Sequence, residues 1–313
     1  MSDIAHDWTE RRLQRILKQL QAEYKQAGEE LQEKAAEHFR RFRVKDKIKR
    51  GLVAAGQMSN AEYQEWRRRQ FVTGKRWTDM RDTIAEDLVN VNKLAAAMIR
   101  GEMAGVFAYN ANFSEYLIEN GMRIDYGFQL YSAETVRNLM IDDPDIIPWV
   151  PKPDIPKDLR WNRQLITSSI LQGILQGESI ERLSWRLFGV VNRNWTAAQR
   201  TARTAVTSAQ NAGRQRVYNQ ALAMGLDFLQ KEWVATLDKR TRHEHGFADG
   251  QKVPLNKPFI IDGCKMMHPG DMSAPGRLVY NCRCTMITRE PEHITRGSMD
   301  RMTFSEWSKR KAV

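Results

Sequence analysis

Residues 233–245 of the chain are WVATLDKRTRHEH, residues 249–250 are DG, and residues 280–284 are YNCRC. The sequence between these motifs is rich in Gly, Pro and Asp, which are the residues that form turns. Short apolar runs in the same stretch predict strands at 228–235, 259–261, 278–280 and 285–288. The sequence therefore predicts a small, loop-rich β unit in this part of the chain.

The sequence before this β unit has helical periodicity. Apolar residues from Leu13 to Phe42 recur every three or four positions, which predicts a long helix or a helical hairpin. Ordinary helix packing is favoured over a coiled coil, because the coiled-coil spacing lasts only about three heptads. A second helical stretch follows Gly74, with apolar positions from Trp77 to Met98. The first part of the chain is therefore predicted to be mostly α-helical.

A proline-rich segment predicts the main domain boundary, because five of the ten prolines lie within residues 144–156 and proline favours an extended, stiff connector. Further helices are predicted after it at 161–173, 178–188 and 196–224, with Thr196 as N-cap and Gly225 as C-terminal cap. The predicted fold class is α+β, a helical region followed by a helical segment that leads into a small antiparallel sheet. The predicted division is a basic helical region (1–143), a connector (144–157), an α+β domain (158–290) and a tail (291–313).

The chain is basic, with 49 Lys and Arg against 38 Asp and Glu and a net charge of +11. Such a balance favours nucleic acid or acidic protein surfaces as partners. The densest basic cluster consists of Arg40, Arg41, Arg43, Lys45, Lys47, Lys49, Arg50, Arg67, Arg68 and Arg69. Two interpretations remain open for it: contact with phosphates, or a solvated face that meets an acidic protein. The nearby Trp66, Phe71 and Trp77 are predicted to be core residues.

Three cysteines, Cys264, Cys282 and Cys284, are too few and too clustered for the disulfide framework of a secreted protein. The first residues carry charge where a signal peptide needs an apolar core, and no stretch has the apolar length that spans a bilayer. We therefore expect a soluble protein that is made in a reducing cytoplasm.

The order and spacing of the motifs resemble the phage Mu F-like family of minor head, or head morphogenesis, proteins. The resemblance covers roughly residues 160–290 and extends upstream into the helix ARTAVTSAQNAGR. Ala205 stands where the family commonly has Glu, so a pairing of that glutamate with an arginine does not carry over. The residues that match the family's pattern are Trp233, Asp238, Arg240, Thr241, Arg242, His245, Asp249, Gly250, Asn281, Cys282, Arg283 and Cys284.

The resemblance implies a minor capsid protein of a tailed bacteriophage that docks at the portal vertex inside the head. It implies a role in head assembly, DNA packaging or ejection, with non-specific contact to double-stranded DNA. The expected partners are the portal protein and also the major capsid or scaffolding protein. No association with a membrane is expected. The expected location is the virion. No catalytic residue and no required cofactor are expected.

The signature residues are predicted to have structural roles. Asp238 is expected to accept hydrogen bonds from backbone donors or from Arg240 or Arg242, and Asp249 with Gly250 to form a tight turn. A zinc site is the alternative for a subset of the nearby His and Cys residues, although one residue between Cys282 and Cys284 is less than zinc knuckles usually have. The candidate ligands are His245, Cys264, His268, Cys282 and Cys284. Buried thiols and a capping histidine are favoured over metal.

An enzyme is the alternative function, a metal-dependent nuclease that uses the His243/His245 region with Glu244 and Asp238. Against it, the sequence has no Gly-rich phosphate loop and no His-Glu-x-x-His pair, and His243 and His245 are too close along the chain to share one helix face.

Overall fold

The structure, a computed structural model, describes residues 3–72, 74–291 and 295–312, so residues 292–294 and 313 of the predicted tail lie outside the described residues. Its helices are α1 (Ile4–Ala54), α2 (Asn60–Val72), α3 (Lys75–Met122), α4 (Ala133–Asp142), α5 (Ile155–Leu175), α6 (Ile180–Ala223), α7 (His243–Ala248), α8 (Gly276–Val279) and α9 (Phe304–Lys311). Its strands are β1 (Gln230–Val234), β2 (Lys252–Pro254), β3 (Phe259–Ile261), β4 (Cys264–Met266) and β5 (Thr285–Arg289).

The chain forms two compact units, each built from separate segments. Unit 1 contains the described parts of Met1–Ile16, Met98–Pro151 and Arg200–Val313. Unit 2 contains Leu17–Ala97 and Lys152–Gln199. These units cut across the four consecutive segments predicted from the sequence, because α1, α3 and α6 each contribute residues to both. The four-segment division itself stays a prediction.

The apolar face of α1 is as predicted, and it lies on a single helix. The predicted positions are buried without exception: Leu13, Leu17, Leu20, Tyr24, Ala27, Leu31, Ala35, Phe39 and Phe42. In unit 2 this face packs on other helices; the Phe42 ring lies 4.5 Å from that of Phe71 on α2. Phe71 and Trp77 are buried core residues, as predicted, whereas Trp66 is partly exposed and stacks on Phe42.

The prediction of two helices between residues 178 and 224 is wrong, since α6 is continuous over 44 residues. Thr196 is therefore not an N-cap: its hydroxyl donates to Asn192 O at 2.9 Å, as a threonine inside a helix does. Gly189 did not break the helix, because a single glycine lowers helix stability by only about 1 kcal/mol. Gly225 is the predicted left-handed cap, with φ of +83°. The Leu226 amide closes this cap on Ala221 O.

The small sheet belongs to unit 1. β1 is its central strand, with β2 and β5 paired antiparallel on either side, and β3 and β4 form a separate antiparallel hairpin. The α+β fold class is thus confirmed. The predicted strand at 278–280 is wrong, because a helical turn follows Pro275 and the Tyr280 amide bonds Gly276 O. Three residues are too few for a period of two to distinguish strand from helix.

Among the described residues, no helix combines the length and apolarity needed to cross a bilayer.

Candidate functional site

Trp233 is the anchor of the signature segment. It lies on the central strand β1 opposite Met286 of β5, and its side chain is completely buried. Its ring makes edge contacts with Phe259 at 5.3 Å and with His245 at 5.6 Å between centroids. A buried aromatic of this size stabilises the fold through area and ring geometry. Trp233 thus joins the sheet, the β3–β4 hairpin and α7.

Asp238 fixes the turn that leaves β1. Its carboxylate accepts from the Arg240 amide at 2.8 Å, and the Arg283 guanidinium binds it with two hydrogen bonds of 2.7 and 2.6 Å. These contacts hold the pKa of Asp238 well below its usual range, with the Arg283 hydrogen bonds as the largest cause. The side chain that hydrogen-bonds Asp238 is therefore Arg283, while the Arg240 guanidinium forms a longer ion pair with the same carboxylate at 3.9 Å. Arg242 instead donates to Tyr280 O, a residue next to the NCRC motif.

Asp249 and Gly250 form the predicted turn. Asp249 Oδ1 accepts from the Ala235 amide at 2.8 Å, and the Gly250 amide donates to Trp233 O at 2.9 Å. Gly250 has φ of +76°, a conformation that only glycine adopts without steric cost. The turn therefore extends the hydrogen bonding of β1 and positions α7.

A cluster of one imidazole and two thiols lies beneath Trp233. His245 from α7 meets Cys282 and Cys284 from the segment that leads into β5, and all three are buried. His245 Nδ1 lies 3.3 Å from Cys284 Sγ and 3.5 Å from Cys282 Sγ. The contact with Cys284 and then that with His245 lower the pKa of Cys282, whereas the same thiol contact raises the pKa of Cys284.

The other two predicted metal ligands lie outside this cluster. Cys264 is a partly exposed residue of β4. His268 is buried, but its Nδ1 lies 3.1 Å from Pro269 O, and burial lowers its pKa. The group of His, Cys, Asp and Glu residues that could hold a metal ion, within the described ranges, consists of His245, Cys282 and Cys284. The structure thus narrows the five candidate ligands to three.

Helix α6 holds the NCRC segment in place through a polar stripe that the sequence analysis did not identify. Thr204 Oγ1 accepts from the Asn281 amide at 3.0 Å, and Thr207 Oγ1 donates to Cys282 O at 2.7 Å. Asn211 Nδ2 donates to Cys284 O at 3.2 Å. The signal was present as polar residues three and four positions apart on an otherwise alanine-rich helix, which place one polar row on one face.

The predicted basic cluster lies in unit 2, on α1 and α2, and most of it is on the surface. The exposed members are Arg40, Arg41, Arg43, Lys45, Lys47, Arg50, Arg68 and Arg69, and Lys49 is partly exposed. Arg67 contradicts the prediction, because it is only 1% exposed. It lies one helical turn from the buried Tyr63 and Phe71, so it faces inward, where it donates to Glu178 O at 3.0 Å and lies near Asp46. Arg67 is therefore a structural residue.

Several surface cations have acidic neighbours. Arg68 and Arg69 both bind Glu65, Arg43 pairs with Glu181, and Arg50 pairs with Asp46. The pairs with Glu65 and Glu181 are exposed and contribute little to stability, whereas Asp46 is buried.

The fold and the signature segment define a class: a largely helical chain that carries a small α+β domain with a buried His/Cys cluster. Residues 164–287 match the family described as Phage Mu protein F like protein. The match covers less than half of the chain, so the similarity to this family is established for residues 164–287. It is 27% identical over 250 residues to the minor head protein GP7 of Bacillus phage SPP1, covering 74% of this chain and 77% of that protein.

A second relative is the NAD(+)--arginine ADP-ribosyltransferase EFV of Enterococcus faecalis (strain ATCC 700802 / V583). The identity is 32% over 124 residues, which is 40% of this chain but only 25% of the transferase. The similarity therefore concerns a quarter of that protein. No solved structure is significantly similar to this chain.

Proposed function

We propose that this chain is a minor head protein of a tailed bacteriophage that docks at the portal vertex inside the head and assists head assembly, DNA packaging or ejection. The observation that carries the proposal is the similarity to minor head protein GP7, which spans three quarters of both chains. The structural character of the signature residues supports it, because Trp233, Asp238 and Asp249 bind other parts of the chain. The protein then resides in the virion.

Co-purification with the portal protein of the same phage tests the docking. We expect the tagged chain to elute with portal assemblies from particles that have not yet packaged DNA. The control is the portal protein expressed without the chain on the same affinity resin. Separate elution of the two proteins, together with normal DNA content and infectivity of particles that lack the chain, contradicts the proposal.

The basic surface of α1 is the proposed contact with double-stranded DNA. Arg40, Arg41, Lys45 and Lys47 are exposed cations within eight consecutive residues of this helix. Phe71 and Trp77 are buried and do not offer stacking platforms for bases. Contact through cations alone is independent of sequence and depends strongly on salt, because phosphate binding releases counterions. Such contact fits a protein that meets packaged genome of any sequence.

Replacing Arg40, Arg41, Lys45 and Lys47 with glutamine is expected to weaken binding to duplex DNA. The affinity falls as salt rises, and each lost phosphate contact makes the slope of log affinity against log salt less steep by about 0.9. Four lost contacts therefore make it less steep by about 3–4. Fluorescence anisotropy at several salt concentrations measures this slope.

The matched control replaces four exposed cations nearer the start of the same helix: Arg11, Arg15, Lys18 and Lys25. Both variants lose the same net charge, so a position-dependent contact predicts a small effect of the control. Equal slopes for both variants, or an unchanged slope for the first, contradict the proposed surface.

An enzymatic role is the weaker candidate. A nuclease that uses both His243 and His245 needs the two imidazoles at one metal, but His245 is buried against thiols while the His243 ring stacks edge-on with the exposed Phe247. Nuclease metals prefer oxygen ligands such as carboxylates, and the cluster identified among the described residues contains none. We therefore propose a non-enzymatic role, and the transferase activity remains that of the relative.

A further inference from the structure

The imidazole and the two thiols bring three metal-binding atoms together in the interior of unit 1. His245 Nδ1 and the sulfurs of Cys282 and Cys284 all lie within 4.8 Å of one another. The three residues come from two places about 40 positions apart in sequence, and each is at most 4% exposed. The arrangement is therefore a product of the fold rather than of local sequence.

The spacing of these atoms fits tetrahedral zinc. With Zn–S of about 2.3 Å and Zn–N of about 2.0–2.1 Å, the N–S edge of a tetrahedron is roughly 3.5 Å. The two nitrogen–sulfur distances in the structure are 3.3 and 3.5 Å. A zinc ion would therefore fit between the three atoms with little rearrangement of the side chains.

The charge balance also favours a dication. Two thiolates and a neutral imidazole carry a charge of −2, which Zn²⁺ neutralises, and the resulting neutral complex can be buried at lower cost than the charged ligands alone. Cysteine and histidine are the ligands that zinc selects over oxygen donors. Magnesium and calcium, in contrast, require oxygen ligands that the cluster does not offer.

The surroundings hold the ligands in position. The Cys284 amide lies 3.3 Å from Cys282 Sγ, a contact that stabilises a thiolate, and α6 binds the carbonyls of Cys282 and Cys284. Trp233 packs against the His245 ring. His245 Nε2 has no hydrogen-bond partner in the described part of the chain, so no hydrogen bond at that nitrogen explains the burial of the imidazole. The imidazole is thus oriented by the sulfurs.

Room for a fourth ligand is present beside the cluster. A cavity of about 20 Å³ borders His245, Cys282 and Cys284, and the rest of its wall consists of the polar Thr236, Thr241 and Asn281 and of three arginines, Arg240, Arg242 and Arg283. This volume is enough for one water molecule.

We propose that His245, Cys282 and Cys284 bind one Zn²⁺, with a water in the adjacent cavity as the fourth ligand. The ion ties α7 to the segment that enters β5, so its main role is to stabilise unit 1. The site is independent of portal docking and of the basic surface on α1.

Metal analysis of the full chain, purified without chelators, tests the proposal. We expect about one zinc per chain, since two thiolates and an imidazole are strong zinc ligands at neutral pH. The variants Cys282→Ser and Cys284→Ser are expected to lose the metal. The matched controls Cys264→Ser and His243→Ala keep it, because these residues lie outside the cluster.

Cobalt substitution tests coordination by the two cysteines even if the cysteine variants do not fold. In the wild-type chain, Co²⁺ in this site should give thiolate-to-metal charge-transfer absorption that disappears when excess Zn²⁺ is added. Only trace zinc after incubation of the wild type with equimolar Zn²⁺, or cobalt spectra without thiolate bands, overturns the proposal. Retention of zinc by a folded Cys282→Ser/Cys284→Ser double variant overturns it as well.

Discussion

Replacing Arg214 with alanine is expected to destabilise the protein by about 3–5 kcal/mol, the cost of removing one partner of a buried charge pair. Arg214 is fully buried on α6. Its guanidinium donates to both carboxylate oxygens of Asp3 at 2.8 and 3.0 Å, to Asn110 Oδ1 at 2.9 and 3.1 Å and to Met286 O at 2.6 Å. One side chain thus connects the start of the chain, α3, α6 and β5 within unit 1.

Urea unfolding followed by circular dichroism measures this loss, and Arg216→Ala is the matched control. Arg216 lies two residues away on the same helix but is exposed, so its replacement should change stability by no more than about 0.5 kcal/mol. Equal stability of the two variants contradicts the buried network.

The pH dependence of stability is a second test of the buried network, because Asp3 is titratable. Burial raises the pKa of Asp3, but the charge and hydrogen bonds of Arg214 together outweigh it, so the pKa in the folded state is lowered. A lowered carboxyl pKa contributes stability above the unfolded value of about 3.9, and this contribution is lost as the pH falls through the folded pKa. Without Arg214, the unpaired Asp3 carboxyl group destabilises the folded state most when it is charged. The difference between wild type and Arg214→Ala should therefore shrink as the pH falls below about 4.

Replacing Gly213 with alanine is expected to destabilise the protein by about 1–3 kcal/mol or more, through overpacking between α6 and α3. A Cβ at this position would lie 2.4 Å from Phe107 O and 3.3 Å from Ala111 N. Both are backbone atoms of α3, so no side-chain rotation relieves the clash and the helices must separate. The close approach of the two backbones thus requires glycine here.

Gly189→Ala is the matched control on the same helix, and its expected effect on stability has the opposite sign. Nothing lies within 4 Å of a Cβ at Gly189, so alanine should raise stability by about 0.5–1 kcal/mol through its higher helix propensity. Thermal unfolding of both variants measures the difference. A Gly213→Ala variant as stable as Gly189→Ala would show that α3 and α6 do not approach closely.

Local patterns were enough to predict several features. The predicted apolar face of α1 is buried along its whole length. Helical periodicity predicts it because the spacing of apolar residues determines which side of a helix is buried. The left-handed cap at Gly225 and the turn at Asp249–Gly250 were predicted for the same reason, since positive φ favours glycine wherever the chain must turn.

The errors arose where a local pattern was ambiguous. Its charge groups Arg67 with the surface cations, but its spacing from Tyr63 and Phe71 places it on the inner face of α2. The strand at 278–280 and the break before Thr196 were wrong because short apolar runs and single polar residues fit more than one secondary structure.

By itself, the sequence determined the fold class, the long helices and the signature segment that resembles the Mu F-like family. Tertiary structure alone decided the partners: Arg283 for Asp238, the polar row of α6 for the NCRC segment, and Cys282 with Cys284 for His245. The physical reason is separation along the chain. Periodicity records which face of an element is buried, but contacts between residues 40 to 75 positions apart form only when the elements pack.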